Sequence, residues 1–132
     1  MKLLPNGCQP TRYGGIGYDV FASENTAIPS GSFGKVKTGL ILSLPDHICA
    51  LLRDRSSMAF NQKLGLFGGV IDPNFHSEII IGLFNYGEET VYIRKSSRIA
   101  QILFLKVGQA QFVKVQQLPA GTKHGFGSSG GI

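Results

Sequence analysis

Three stretches of this chain hold residues whose types and spacing can do chemistry. The first is Arg53-Asp54-Arg55-Ser56-Ser57. An Arg followed by two hydroxyls at the start of a helical turn can hold phosphates, because the guanidinium offers forked donors and the hydroxyls and backbone amides add more. The same residues also make an ordinary solvated turn. The second is Gly68-Gly69-Val70-Ile71-Asp72-Pro73-Asn74-Phe75. It places one carboxylate after a short apolar run, with an aromatic ring three residues on. A carboxylate at the rim of a pocket can orient and deprotonate water. Asp, Pro and Asn are equally at home in a plain β-turn. The third is the tail Lys123-His124-Gly125-Phe126-Gly127-Ser128-Ser129-Gly130. It reads either as a loose terminus or as a lid that lays amides on phosphates while Phe126 stacks on a base.

Other chemistries lack their residues. There is no G-x-S-x-G elbow for a serine nucleophile, and His47, His76 and His124 stand apart without metal-site spacing. Gly65-Leu66-Phe67-Gly68-Gly69 lacks the Lys-Ser/Thr of a phosphate-binding loop. Cys8 and Cys49 are too few for a disulfide scaffold and form no C-x-x-C pair, so they read as free thiols.

The elements that must position these residues read as strands. With 132 residues, the chain has the length of one domain. Its 42% apolar and 16% charged content is that of a packed globule. The 18 glycines and 6 prolines punctuate it with turns. Strand patterns are expected at Tyr18 to Ala22, Thr26 to Pro29, Phe33 to Leu44, Ile48 to Leu52, Lys63 to Phe67, Gly69 to Ile71, Glu78 to Phe84, Thr90 to Ile93, Ile99 to Val107 and Gln111 to Val115. About ten short strands at this spacing predict an all-β barrel or sandwich. The one helical candidate is a single turn through Met58-Ala59-Phe60, capped by Ser56 or Ser57.

The net charge of +5 suits an anionic ligand. Its basic residues are dispersed, with no run of five, which argues against a nucleic-acid partner. No apolar stretch has the length of a signal peptide or a bilayer span. The expectation is an intracellular, soluble protein of cytoplasm or nucleus, with no membrane partner.

Five segments occur in a telling order: Gly17-Tyr18-Asp19-Val20, Arg55-Ser56-Ser57-Met58-Ala59, Gly69-Val70-Ile71-Asp72, Arg98-Ile99-Ala100-Gln101-Ile102 and Gly125-Phe126-Gly127-Ser128-Ser129-Gly130. The set resembles the five ordered motifs of the trimeric dUTPases, from about Leu3 to the C-terminus. The resemblance implies a jelly-roll-like (β-clip) distorted barrel that forms a homotrimer with active sites at subunit boundaries. Residues 1–119 would form the β domain, and residues 120–132 a flexible Gly/Ser-rich lid of the same domain. The implied reaction is hydrolysis of dUTP to dUMP and pyrophosphate, with Mg²⁺ mainly on the triphosphate.

Position by position, the resemblance makes Asp72 the base that activates water. Arg55, Ser56, Ser57 and Gln101 would hold phosphates. Asp19 would organise Arg55 and reach the metal through water. Gly69, Val70 and Ile71 would present backbone groups to uracil, and Phe75 would lie against the deoxyribose. Phe126 and Gly127 would cap the base, while Ser128, Ser129 and Lys123 would meet the γ-phosphate. Several positions depart from the family pattern. Phe75 stands for a usual Tyr, His76 for Arg and Ser77 for Gly. The lid Arg is missing, its slot falling near Gly121, which leaves Lys123 and His124 as the nearby cations. A point-charge Lys cannot grip phosphate in a forked way, so weaker substrate binding or a looser lid is expected. Two rivals follow. A dCTP deaminase needs a Glu where Gly82 stands. A dUTPase-like binding or regulatory protein with little turnover finds support in the missing lid Arg.

Overall fold

The computed structural model describes residues 1–121. In chain order the elements are β1 (Lys2–Leu3), β2 (Tyr18–Phe21), β3 (Thr26–Ile28), β4 (Phe33–Ile41), β5 (Ile48–Arg53), α1 (Ser56–Gln62), β6 (Leu64–Phe67), β7 (Val70–Ile71), β8 (Glu78–Asn85), β9 (Val91–Ile93) and β10 (Arg98–Lys106). They build an all-β body of two four-stranded sheets, ordered β1-β4-β8-β6 and β2-β10-β5-β7, and a two-stranded pair β3-β9. Every pairing in them is antiparallel. Among the described residues no helix is long and apolar enough to cross a membrane.

Alternation along the strands explains the packing. In β8, Ile79, Ile81 and Leu83 face inward while Ile80 faces out. In β10, Ile99, Ala100 and Ile102 are buried. These side chains meet Val36, Leu40 and Leu42 in one core, and burial of apolar surface is what holds the sheets face to face. Asn85, fully buried, closes the loop that follows β8. Its amide donates to the carbonyls of Ile28 (2.9 Å) and Glu89 (2.7 Å), and its oxygen accepts from the Gly87 N–H.

Three local expectations need correction. The helix runs through Ser56–Gln62 and not a single turn, and its N-cap is Arg55, with no side-chain capping bond from Ser56 or Ser57. Only Met58 of that helix is buried, so no apolar stripe announced its length. The strand expected at Gln111 to Val115 does not form. Phe112 is 95% exposed and Val113 80%. A strand needs a neighbour for its N–H and C=O groups, and this segment finds none among the described residues. The short β1, paired with β4, had no readable pattern because both its residues are exposed.

Candidate active site

Asp19 is the hub of the first group. It lies on β2, and the register sets it opposite Gln101 of β10, which in turn lies opposite Arg53 of β5. The chain then turns into α1, and Arg55 swings back over the sheet edge. Its Nε donates to Asp19 Oδ1 at 3.1 Å, and Arg98 Nε approaches Asp19 Oδ2 at 3.7 Å. The Asp19 side chain is only 18% exposed and that of Arg55 24%, so this pairing is poorly screened. Arg55 Nη1 also donates to Ser57 Oγ at 3.3 Å. Gln101 Nε2 donates to the Asp54 carbonyl at 3.0 Å, which ties β10 to the start of the Arg55 turn. Gly17 lies close by: a Cβ on it would come within 2.6 Å of Gln101 Oε1 and displace that amide. The structure therefore brings Asp19, Arg55, Ser57 and Gln101 together, with Ser56 exposed at the head of α1. Two positive charges meet one negative charge, and the surplus favours an anion.

The second group sits on the hairpin. Gly69 takes φ +118° and docks on β5, with Leu52 N–H donating to its carbonyl at 2.7 Å. A Cβ there would meet the Leu52 oxygen at 2.8 Å, so the junction accepts only glycine. Val70 then pairs with Leu51 and Ile71 with Ala50. The strand ends in a hydrogen-bonded turn, Phe75 N–H to Asp72 carbonyl at 3.1 Å. The stretch is a β-turn, and the turn leaves Asp72 exposed to solvent, as is Phe75 at 40%.

The two groups do not meet within one chain. Gln101 flanks β5 on one side at Arg53, and Asp72 follows a residue paired with Ala50 on the other side. Two strand spacings of about 4.8 Å and about four residues of rise separate them, on the order of 16 Å along the sheet. That is too far for both to touch one phosphate group. A cavity beside Arg55 is walled by Ser57, Tyr92, Ser96, Ser97 and Arg98, but not by Asp72 or Phe75. Lys123, Phe126, Gly127, Ser128 and Ser129 lie outside the described residues.

Sequence reasoning counted Arg98 only as part of a motif and gave Tyr13 no role. The Arg98 guanidinium lies 5.0 Å from the Tyr13 ring centroid. No spacing rule links positions so far apart.

A dUTPase family model matches residues 6–130. The chain belongs to the dUTPase family. It is 36% identical to the deoxyuridine 5'-triphosphate nucleotidohydrolase of Gloeobacter violaceus, over 96% of this chain and 88% of that protein. A variant of the Staphylococcus bacteriophage 80alpha dUTPase, solved with dUpNHpp, superposes with a TM-score of 0.85 at 25% identity, covering 97% of this chain and 95% of the other. A variant of the dUTPase of phage phi11 of S. aureus, described with a structural Mg(II) ion, shares the fold with a TM-score of 0.79 at 20% identity, covering 88% and 94%.

Proposed function

We propose that this dUTPase-family chain hydrolyses dUTP to dUMP and pyrophosphate, in sites shared between copies of a homotrimer. The observation that carries the reading is the split site. A phosphate-holding cluster of Arg55, Ser57, Gln101 and Asp19 stands at one place on the sheet. The residue suited to activate water, Asp72, stands beyond its reach. A second copy supplying its hairpin completes the site. Exposed apolar surface favours such assembly: Phe33 and Phe67 are each half exposed and pack edge to face with centroids 5.5 Å apart.

In the complete site, Asp72 of one copy accepts a proton from water. The water oxygen bonds to the α-phosphorus, the bond from the α-phosphorus to the α,β-bridging oxygen breaks, and pyrophosphate leaves with that oxygen and the bond's electrons. Arg55, Ser56, Ser57 and Gln101 of another copy hold the phosphates in line. Backbone groups of Gly69, Val70 and Ile71 meet uracil, and Phe75 packs on the sugar where a 2′-hydroxyl has no room. The family resemblance assigns Phe126 and Gly127 to the base and Ser128, Ser129 and Lys123 to the γ-phosphate.

A resident metal site is not the fit. Among the described residues no three His, Cys, Asp or Glu side chains gather, and Asp19 is already shared by two guanidiniums. The donor set instead suits Mg²⁺ carried by the triphosphate oxygens, with Asp19 reaching it through water. When bound, such an ion offsets phosphate charge and polarises the reacting phosphoryl group.

Pyrophosphate release from dUTP, dCTP, dTTP and UTP in the presence of Mg²⁺ tests the reading. Release from dUTP alone is expected. Binding of dUTP without release favours the regulatory alternative, and ammonia from dCTP favours the deaminase. The Glu that a deaminase needs is Gly82, in the middle of β8.

A further inference from the structure

Arg98 is aimed by an irregularity in its strand. Along β10, Ile102 faces the core and Gln101 faces out. Strict alternation would bury Ala100, expose Ile99 and bury Arg98. Instead Ile99 and Ala100 are both buried, at 1% and 0% exposure. The register with β2 slips at this point, from Arg98 opposite Phe21 to Ala100 opposite Val20. The extra residue is a β-bulge, a device that redirects side chains beside functional sites. It turns Arg98 onto the face that carries Asp19 and Gln101.

Once there, Arg98 is held but not used up. Its Nε lies toward Asp19 Oδ2 at 3.7 Å, and the Tyr13 ring backs the guanidinium plane at 5.0 Å. The side chain remains 45% exposed, about twice as open as Arg55. It walls a cavity of about 480 Å³ together with Arg55 and the hydroxyl-bearing Ser57, Ser96 and Ser97. Arg55 Nη1 reaches the Arg98 carbonyl at 3.5 Å, so the two arginines are neighbours through backbone as well as through Asp19. Two guanidiniums and three serines suit a doubly or triply charged phosphate group better than a base or sugar.

We propose that Arg98 is a second phosphate-binding arginine of this site, one that grips the β,γ end of the triphosphate, which departs as pyrophosphate. The inference rests on the dUTP-hydrolase reading. It names an in-body guanidinium for the polyphosphate end in a chain whose lid segment lacks Arg. Tyr13 and Asp19 act as positioning residues that hold the Arg98 plane toward the cavity.

Calorimetric binding of inorganic pyrophosphate and of dUMP to the full chain, with Mg²⁺, separates this role from a structural one. Arg98→Gln is expected to weaken pyrophosphate about ten- to a hundredfold, the usual loss for a charge-assisted hydrogen bond, and to leave dUMP affinity and the melting temperature unchanged. KM for dUTP rises with the pyrophosphate constant. Arg98→Lys, which keeps the charge and covers the case of a Gln variant that does not fold, recovers part of the affinity. Equal weakening of dUMP and pyrophosphate, or a lowered melting temperature with both ligands weakened, assigns Arg98 to holding Asp19 and overturns the proposal. Unchanged pyrophosphate binding overturns it too. Absence of dUTP hydrolysis by the unaltered chain is a separate result, and it would remove the reading beneath the proposal.

Discussion

Asp72→Asn lowers kcat for dUTP by about a thousandfold, within the range lost when a positioned general base is removed, while KM stays nearly constant. The amide matches the carboxylate in size but cannot take the proton from water. The turn that carries it is closed by a backbone bond, Phe75 N–H to Asp72 carbonyl, which the substitution leaves intact. Asp72 is also exposed and outside the ion pairs of the phosphate cluster. The loss therefore falls on the chemical step and not on folding or binding, a split that steady-state kinetics with a melting curve reads directly.

The second large effect comes from mixing two inactive proteins. Arg55→Gln removes the guanidinium that Asp19 holds, and Asp72→Asn removes the base. Within one chain Gln101, which is tied to the Arg55 turn through the Asp54 carbonyl, and Asp72 lie on opposite sides of β5, so in the proposed site Arg55 and Asp72 come from different copies. After the two variants are unfolded together and refolded at equal concentration, about one quarter of the sites combine an intact Arg55 with an intact Asp72, as random assembly of a closed ring requires. Activity rises to about that fraction of the unaltered level. Each variant refolded alone stays inactive. No recovery in the mixture means that both residues serve the same site from one chain.

Much of the body was legible because strand alternation records a two-sided surface. Glu78 to Phe84 and Ile99 to Val107 were expected as strands and became β8 and β10 with small shifts at their ends. Other parts depend on contacts that no local pattern contains. Gln111 to Val115 has the apolar content of a strand, yet a strand forms only beside a partner, and none pairs with it among the described residues. The bulge at Ile99 and Ala100 arises where β10 meets β2, so the direction of Arg98 is a property of the pairing and not of the residues.

The site divides in the same way. The motifs named Asp19, Arg55, Gln101 and Asp72 by order and type. That Asp19 would organise Arg55 was an implication of the resemblance, and the two side chains do meet, at 3.1 Å. That Asp19 also faces Arg98, and that Arg98 lies against Tyr13, needed three dimensions. Nor does motif order reveal that β5 stands between Gln101 and Asp72.

The central claim is attack of water on the α-phosphorus, and turnover of dUTP in water enriched in heavy oxygen tests it most directly. Heavy oxygen in dUMP, with none in pyrophosphate, is the predicted result. Label in pyrophosphate, or release of inorganic phosphate in its place, would contradict it.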